Sequence, residues 1–103
     1  MGAEPIVVLI AFKIQPGKES LATQVMTSLI GTVRKQEPAC SGITMIRDAA
    51  DPTRVLLYEL WPDRESYMGP HMETPHIKAF KSQAGELFDG APEISFWNTV
   101  AKV

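Results

Sequence analysis

Two segments of this chain are apolar on both faces of the strands that they are predicted to form. Residues 5–14 (PIVVLIAFKI) and residues 54–61 (RVLLYELW) are rich in the β-branched and aromatic residues that favour strands. Successive side chains of a strand point to opposite faces, so a sheet covered on one face only alternates apolar and polar residues. In the first segment Val8 and Ile10 fall on one face and Leu9 on the other. Both faces of the sheet must therefore be covered.

Turn and helix signals divide the chain into four strands and two substantial helices. Apolar residues recur at three- and four-residue spacing from Lys18 to Gln36, and this helix ends before Pro38 because the residue preceding proline avoids helical geometry. A second helix begins at Thr74, a capping residue followed by proline at the first helical position. The elements predicted in chain order are strand 5–14, helix 18–36, strand 41–48, strand 54–61, short helix 63–68, helix 74–89 and strand 93–103.

This order of elements is a split βαβ pattern, and it predicts an α+β, ferredoxin-like fold. The simplest closed arrangement is a four-stranded antiparallel sheet with helices on one face. Two helices cannot also cover the second apolar face, so a second copy packed sheet against sheet is the economical cover. A monomer of 103 residues buries only about two-thirds of its unfolded surface, so a partner would add stability as well. We therefore expect a homodimer.

Charge and cysteine content narrow the class of protein. A net charge of -2 without a basic run argues against nucleic acid or an anionic membrane surface as the main partner. The apolar run from Ile6 to Phe12 is too short to span a bilayer. One cysteine, Cys40, cannot form an internal disulfide, which fits the reducing cytoplasm. These features predict a soluble, cytoplasmic protein of one domain.

Two histidines, His71 and His76, are the side chains best suited to acid–base chemistry near neutral pH. Five residues apart, they would point about 140° away from each other on a continuous helix. Only an interruption of the helix between them lets them converge. Their spacing is not that of a helical two-histidine metal pair, and no metal site is expected. His71 follows Pro70 in a predicted loop and is expected to be exposed. His76 is either a helix-start residue bonded to backbone or solvent, or a general base.

Large aromatic side chains on the predicted strands admit two interpretations. They form either the core and dimer interface or the wall of a pocket for a planar ligand, to which tyrosine and tryptophan also offer hydrogen-bond donors. These side chains are Tyr58, Trp61, Phe96 and Trp97. Asn98 shares a face with Phe96 and could orient a carbonyl or a bound oxygen, or could be a strand polar group without a role in chemistry.

Glu59 is a charged residue inside an otherwise apolar strand. It shares a face with Trp61, and a carboxylate in such a place needs a partner. Arg47 on the neighbouring strand, or an arginine across the dimer, is the expected partner. A structural ion pair is therefore favoured here over a catalytic carboxylate.

Residues 58–80, YELWPDRESYMGPHMETPHIKAF, resemble the signature region of the antibiotic biosynthesis monooxygenase domain. In that family a strand ends in Glu-x-Trp, a short helix with an acidic start follows, and a His…Thr-Pro-His segment opens the next helix. The turn at Pro16–Lys18 and the QEPACSGIT segment are similar as well. The resemblance covers one domain, from Pro5 to about Lys102, and implies a ferredoxin-like domain that dimerises into an α+β barrel.

The family includes cofactor-independent quinol and anthrone monooxygenases, haem-degrading enzymes and an isomerase of a phosphorylated signalling sugar. Pro70 and Phe80 stand where the tryptophan and histidine of the haem-degrading branch would fall, so the resemblance argues against that branch. The two histidines match a pattern that the quinol monooxygenase and the isomerase share. Gly69–Pro70 departs from the family pattern, in which the short helix continues.

The resemblance implies a monooxygenase that oxidises a small planar quinol- or anthrone-like aromatic with dioxygen. No glycine-rich phosphate loop, nucleophile elbow or dinucleotide fingerprint occurs in the sequence, so no flavin, metal or other cofactor is expected. His76, or else His71, would be the base. The substrate contacts would be Tyr58, Trp61 and Phe80, with Asn98 as a donor on the oxygen side.

Two alternatives from other functional classes stay open at this point. The first is the isomerase, for which Lys78, Lys81 and Arg64 are the candidate phosphate-binding cations. The second is a non-enzymatic, dimeric small-molecule-binding domain, in which side chains fill much of the pocket.

Overall fold

Four strands and three helices make up the fold, whose structure is a computed structural model that describes residues 4–103. The strands are β1 (Ile6–Lys13), β2 (Gly42–Arg47), β3 (Arg54–Trp61) and β4 (Glu93–Trp97). The helices are α1 (Glu19–Gln36), α2 (Arg64–Met68) and α3 (Pro75–Leu87), and a 3₁₀ turn (Pro70–Glu73) joins α2 to α3. None of the helices in residues 4–103 is long and apolar enough to cross a membrane. The cytoplasmic location stays a prediction.

The sheet has the strand order β2-β3-β1-β4, and every neighbouring pair is antiparallel. The first strand therefore lies in the interior of the sheet, between the third and the fourth. This order, with the two long helices packed on one face, is the ferredoxin-like fold, so the α+β prediction is confirmed.

The core lies between the sheet and the two long helices. Val8, Ile10 and Phe12 of β1 are at most 7% exposed, and they pack with Met26 of α1 and Leu87 of α3. Alternate residues of β1 supply this packing because successive side chains of a strand point to opposite faces. The amphipathic stripes of the helices thus cover one face of the sheet.

The opposite face of the sheet is apolar and carries no helix of the described chain. We call it the open face, and it comprises Val7, Leu9, Ala11, Ile46, Leu56, Tyr58, Leu60 and Trp97. Ile46, Tyr58 and Trp97 are 48%, 40% and 55% exposed. The doubly apolar strands are therefore covered by this chain on one side only.

The last strand is shorter than predicted. It ends at Trp97, so the prediction of a strand from 93 to 103 is wrong beyond that residue. Trp97 pairs with Val7 near the start of β1, and Pro5 before β1 has no N–H with which to extend the ladder. Residues 98–103 consequently follow the sheet as exposed chain.

Candidate functional site

A cavity of about 550 Å³ lies between the helix-covered face of the sheet and helices α1 and α3. Most of its wall is apolar and includes Ile10, Phe12, Leu29, Phe80, Phe88 and Ile94. Its polar side chains are Glu59, Tyr67, His71 and Lys81. Small-molecule sites are commonly concave, mainly apolar and of roughly 300–1,000 Å³, with a few polar groups that orient the ligand. The cavity fits that description.

The helix is interrupted at Gly69–Pro70, and this interruption directs the His71 side chain into the protein interior. Asp63 caps α2 as predicted, since its side chain accepts a hydrogen bond from the Ser66 N–H at 2.7 Å. A Cβ atom at Gly69 would lie 2.9 Å from the Glu65 carbonyl oxygen, so the turn leaves no room for a side chain. The 3₁₀ turn that follows buries the His71 side chain to 3% exposure. The expectation that His71 is exposed is therefore wrong.

Both histidines contact one carboxylate, that of Glu37 at the end of α1. His71 Nδ1 lies 2.9 Å from each Glu37 oxygen, and His76 Nε2 lies 2.6 Å from Oε2. The interruption of the helix at Gly69–Pro70 therefore lets both histidines reach Glu37, which lies between them. His71 lines the cavity, whereas His76 borders a separate, shallower depression beside α1.

Glu37 is a site residue that the sequence pattern did not reveal. A physical signal does exist, because a carboxylate at the C-terminal end of a helix meets the negative end of the helix dipole and needs a donor from elsewhere. What no local pattern could supply is the identity of that donor.

Within residues 4–103, no three His, Cys, Asp or Glu side chains are grouped in a way that could hold a metal ion.

Burial lowers the pKa of His71 below the ordinary value for histidine, and the hydrogen bond and charge of Glu37 oppose this shift in part. The imidazole is therefore mainly neutral at neutral pH. A carboxylate only accepts hydrogen bonds, so Nδ1 carries the ring proton and Nε2 keeps its lone pair. His71 is thus a neutral base whose ring orientation is fixed by Glu37.

Glu59 lines the cavity at 4% exposure, and its partner is not the predicted one. Trp61 donates a hydrogen bond from Nε1 to Glu59 Oε1 at 2.9 Å. Arg47 donates instead to Thr23 Oγ1 at 3.0 Å, so the expected pair of Arg47 with Glu59 is wrong. The reason is the register, which places Arg47 opposite Val55, four residues from Glu59 along β3.

The environment of Glu59 favours its protonated form. Burial raises the pKa of the carboxyl to about 7, the hydrogen bond from Trp61 opposes the shift, and the charge of Glu37 adds to it. Protonated and ionised forms therefore coexist near neutral pH. This carboxyl can act as a donor in a range where ordinary glutamates only accept.

Tyr67 of α2 is a further cavity residue that the sequence pattern did not single out. Its ring lies 5.7, 5.0 and 6.0 Å from those of Trp61, His71 and Phe96. Burial raises the pKa of its hydroxyl, so the group is neutral and can donate a hydrogen bond. A signal was available, because a helix of five residues is unstable alone and a large aromatic within it must be packed.

The four residues predicted to contact substrate do not all lie in the same site. Phe80 lines the cavity. Trp61 is 1% exposed and lies behind the cavity wall, with its ring 4.6 Å from that of His71. Tyr58 lies on the open face, on the far side of the sheet, and Asn98 is exposed after the end of β4. Neither Tyr58 nor Asn98 lines the cavity.

A family model described as antibiotic biosynthesis monooxygenase matches residues 5–83. A Pseudomonas aeruginosa protein of known structure superposes with a TM-score of 0.86 at 19% identity, covering 98% of this chain and 99% of that one. A Nitrosomonas europaea protein, provisionally named an antibiotic biosynthesis monooxygenase, gives 0.85 at 17% identity over 97% and 94% of the two chains. A Bordetella bronchiseptica protein with the same provisional name gives 0.84 at 18% identity over 95% and 99%. No curated protein matches the chain.

Proposed function

Since the chain belongs to the antibiotic biosynthesis monooxygenase family, we propose that it is a cofactor-independent monooxygenase of a small planar quinol- or anthrone-like aromatic. One observation carries the proposal: a carboxylate holds the His71 imidazole in place at the wall of a largely apolar cavity. Residues 5–102 would form the single domain that performs the reaction.

The reaction would begin with transfer of an acidic substrate proton to Nε2 of His71. The resulting electron-rich anion passes electrons to dioxygen, so the substrate itself is the reductant. One oxygen atom enters the substrate and the other leaves as water; in an anthrone, the ring CH₂ becomes C=O. Glu37 stabilises the imidazolium that forms, because its carboxylate accepts the hydrogen bond from Nδ1.

His71 is assigned as the base, rather than His76, because it is the histidine that lines the cavity. His76 contacts the same carboxylate from the other side and would hold Glu37 in position. The base remains on one of the two histidines predicted from the sequence, and Phe80 is retained as a substrate contact. Tyr58 and Asn98 are left out of the proposed site.

An aromatic cluster in the cavity wall supports a planar substrate. Phe12, Phe80 and Phe88 contact one another, with ring centroids 4.9 to 6.1 Å apart. Aromatic side chains pack favourably against other aromatic rings, and their apolar surface excludes water from a reactive anion. The wall therefore suits a flat, largely apolar ligand.

The phosphosugar isomerase is less well supported, because two of its three candidate cations lie elsewhere. Lys78 pairs with Glu73 at 3.3 Å on the surface, and Arg64 lies over the Phe96 ring at 4.7 Å from the centroid. Lys81 is the candidate that lines the cavity. A phosphate dianion is normally held by several charged or backbone donors, and one lysine in an apolar wall is a poor match.

A dioxygen-uptake screen of the purified protein against quinols and anthrones, with no added cofactor, tests the proposed function. Wild type should consume dioxygen with at least one member of the panel. His71→Asn should lose most of this activity, since its amide can still donate to Glu37 but has no basic nitrogen. Glu86→Gln, a change at an exposed position of α3, is the matched control and should behave as wild type. Equal rates for His71→Asn and wild type would refute the assigned base.

We also propose that the protein is a homodimer that joins two open faces into an α+β barrel. An exposed apolar surface of this extent usually marks an interaction site, and a self-complementary patch closes into a two-fold dimer. Sedimentation at micromolar concentration should give twice the chain mass. A monomer under those conditions would rule the dimer out.

A further inference from the structure

Glu59 is a buried acid that the proposed reaction does not use. It lies on β3 in the cavity wall, and one of its two oxygens, Oε1, accepts the hydrogen bond from Trp61. A buried carboxyl without a cationic partner is costly, so its presence calls for a reason. The hydrogen bond from Trp61 satisfies only one of the two carboxyl oxygens.

The second oxygen, Oε2, takes no part in the hydrogen bond from Trp61. It has no hydrogen-bond partner among residues 4–103. The same part of the chain contains no fully buried side-chain oxygen or nitrogen that lacks a partner. Oε2 must therefore retain accessible surface, and the cavity that Glu59 lines is where this surface lies.

We propose that Glu59, in its protonated form, donates a hydrogen bond from Oε2 to an acceptor oxygen of the bound ligand. Glu59 is then a specificity-determining residue, distinct from the base His71. The proposal rests on the proposed function in one respect, namely that the cavity receives an oxygen-bearing aromatic ligand. It does not require that the ligand be oxidised.

The surroundings of Glu59 favour a neutral donor over a carboxylate. Its neighbours across the sheet, Val8 and Ile43, are apolar. The ionisable groups that act on it or share the cavity with it come from five other segments: Glu37 at the end of α1, Cys40 before β2, Tyr67 of α2, His71 of the 3₁₀ turn and Lys81 of α3. Lys81 is the one lysine or arginine among them, and it forms no ion pair with Glu59. Burial raises the pKa of Glu59 to about 7, and the negative charge of Glu37 works in the same direction.

The donor and the base lie at the same end of the cavity. Trp61 donates to Glu59, and its ring lies 4.6 Å from the ring of His71, so one side chain contacts both groups. A ligand that uses both groups needs an acidic hydroxyl and an acceptor oxygen on the same edge of its ring system. The remaining wall is apolar and would take the rest of the ligand.

Binding of 1-hydroxyanthraquinone tests the proposal without turnover, because this probe is already oxidised and carries a hydroxyl and a carbonyl on one edge. Its affinity is measured by quenching of tryptophan fluorescence between pH 5.5 and 9. For wild type, the affinity should fall above about pH 6.5, approaching tenfold per pH unit well above 7, since one proton on Glu59 is required for binding. Anthracene, which has no oxygen, should show no such dependence.

Glu59→Gln is the decisive variant, because its amide still donates to the ligand and still accepts from Trp61 but cannot ionise. Its affinity for the probe should remain flat up to pH 9, whereas Glu86→Gln should follow wild type. A wild-type affinity that is flat from pH 6 to 9, an affinity of Glu59→Gln that falls as in wild type, or no binding of the probe at all would overturn the proposal.

Infrared difference spectra of the wild-type protein at pH 6 provide a second measurement that needs no variant. Addition of the probe should shift the C=O band of a protonated carboxyl to lower frequency, and an unshifted band would overturn the proposal. If the probe binds as described but no quinol supports dioxygen uptake, the monooxygenase assignment fails while the role of Glu59 stands.

Discussion

Glu37, Glu59 and His71 are three ionisable side chains within one small volume, and a different task is proposed for each. Burial lowers the pKa of His71 and raises that of Glu59, so both are pushed toward their neutral forms. A base needs its lone pair and a donor needs its proton. Both requirements are met at pH values above the lowered pKa of His71 and below about 7, the pKa of Glu59.

Glu59→Gln should stabilise the protein at alkaline pH. The pKa of the Glu59 carboxyl is about 7 in the folded protein, whereas an unfolded chain has the ordinary glutamate value of 4.5. Because the folded value is the higher one, its stabilising contribution is complete below pH 4.5 and is lost as the pH rises through 7. The gap between the two pKa values corresponds to about 3 kcal/mol.

Urea unfolding at pH 4 and pH 9 measures this effect. The glutamine variant should match wild type at pH 4, below the unfolded-state pKa, and exceed it by up to about 3 kcal/mol at pH 9, because only wild type must bury a charge there. If the two proteins show parallel dependence on pH, Glu59 does not titrate as described.

The pH profile of kcat/KM should have an acidic limb below pH 6.5, since protonated His71 cannot accept a proton. Glu37→Gln should move this limb to still lower pH, because the charge that opposes the lowered pKa is gone, and should reduce the maximal rate. Glu73→Gln removes an exposed carboxylate from the same 3₁₀ turn and should leave the limb in place. A limb unmoved by Glu37→Gln would show that this carboxylate does not act on the base.

At the level of elements, the site residues lie where helices begin and end: at the C-terminal end of α1, in the turn after α2 and at the start of α3. The turn depends on Gly69, where a Cβ atom would meet the Glu65 carbonyl oxygen at 2.9 Å. We expect Gly69→Ala to destabilise the protein by about 1–3 kcal/mol, because backbone must move to admit the methyl group.

Gly31→Ala is the matched control for that change. Gly31 lies within α1, where an added Cβ would meet nothing within 4 Å, so alanine should stabilise the helix by about 0.5–1 kcal/mol. Thermal unfolding of both variants gives the comparison, and dioxygen uptake should fall only for Gly69→Ala. If Gly69→Ala is as stable and active as wild type, the turn is not what orients His71.

The kinds and order of the elements could be predicted from the sequence, because apolar periodicity and caps such as Asp63 and Thr74 are local signals. The burial of His71 could not, since it depends on how the turn at Gly69–Pro70 folds back onto the sheet. The partner of Glu59 was missed for a similar reason: strand register, which separates it from Arg47, is set by the whole sheet. Local patterns singled out His71, His76 and Phe80, whereas the contacts of Glu37 and Tyr67 appear only in the tertiary structure.

At the scale of the whole molecule, the open face determines the expected assembly. Ile46 on this face and Leu21 on α1 are each 48% exposed, so they differ in location and not in exposure. Ile46→Glu should convert the proposed dimer to monomer in sedimentation experiments, because each subunit would place a desolvated glutamate without a cationic partner in the two-fold interface. Leu21→Glu should remain dimeric. Dissociation of both variants, or of neither, would place the interface elsewhere.

Glu37 also determines when during folding the site can exist. Its contacts with His71 and His76 join residues 34 and 39 positions apart, and the loop that they close contains the β2–β3 hairpin. Closing so long a loop costs chain entropy that a local helix or turn does not, so such contacts form late. A partly folded chain therefore has neither an oriented His71 nor the cavity that it lines. Chemistry that generates reduced oxygen would begin only in molecules that have completed folding.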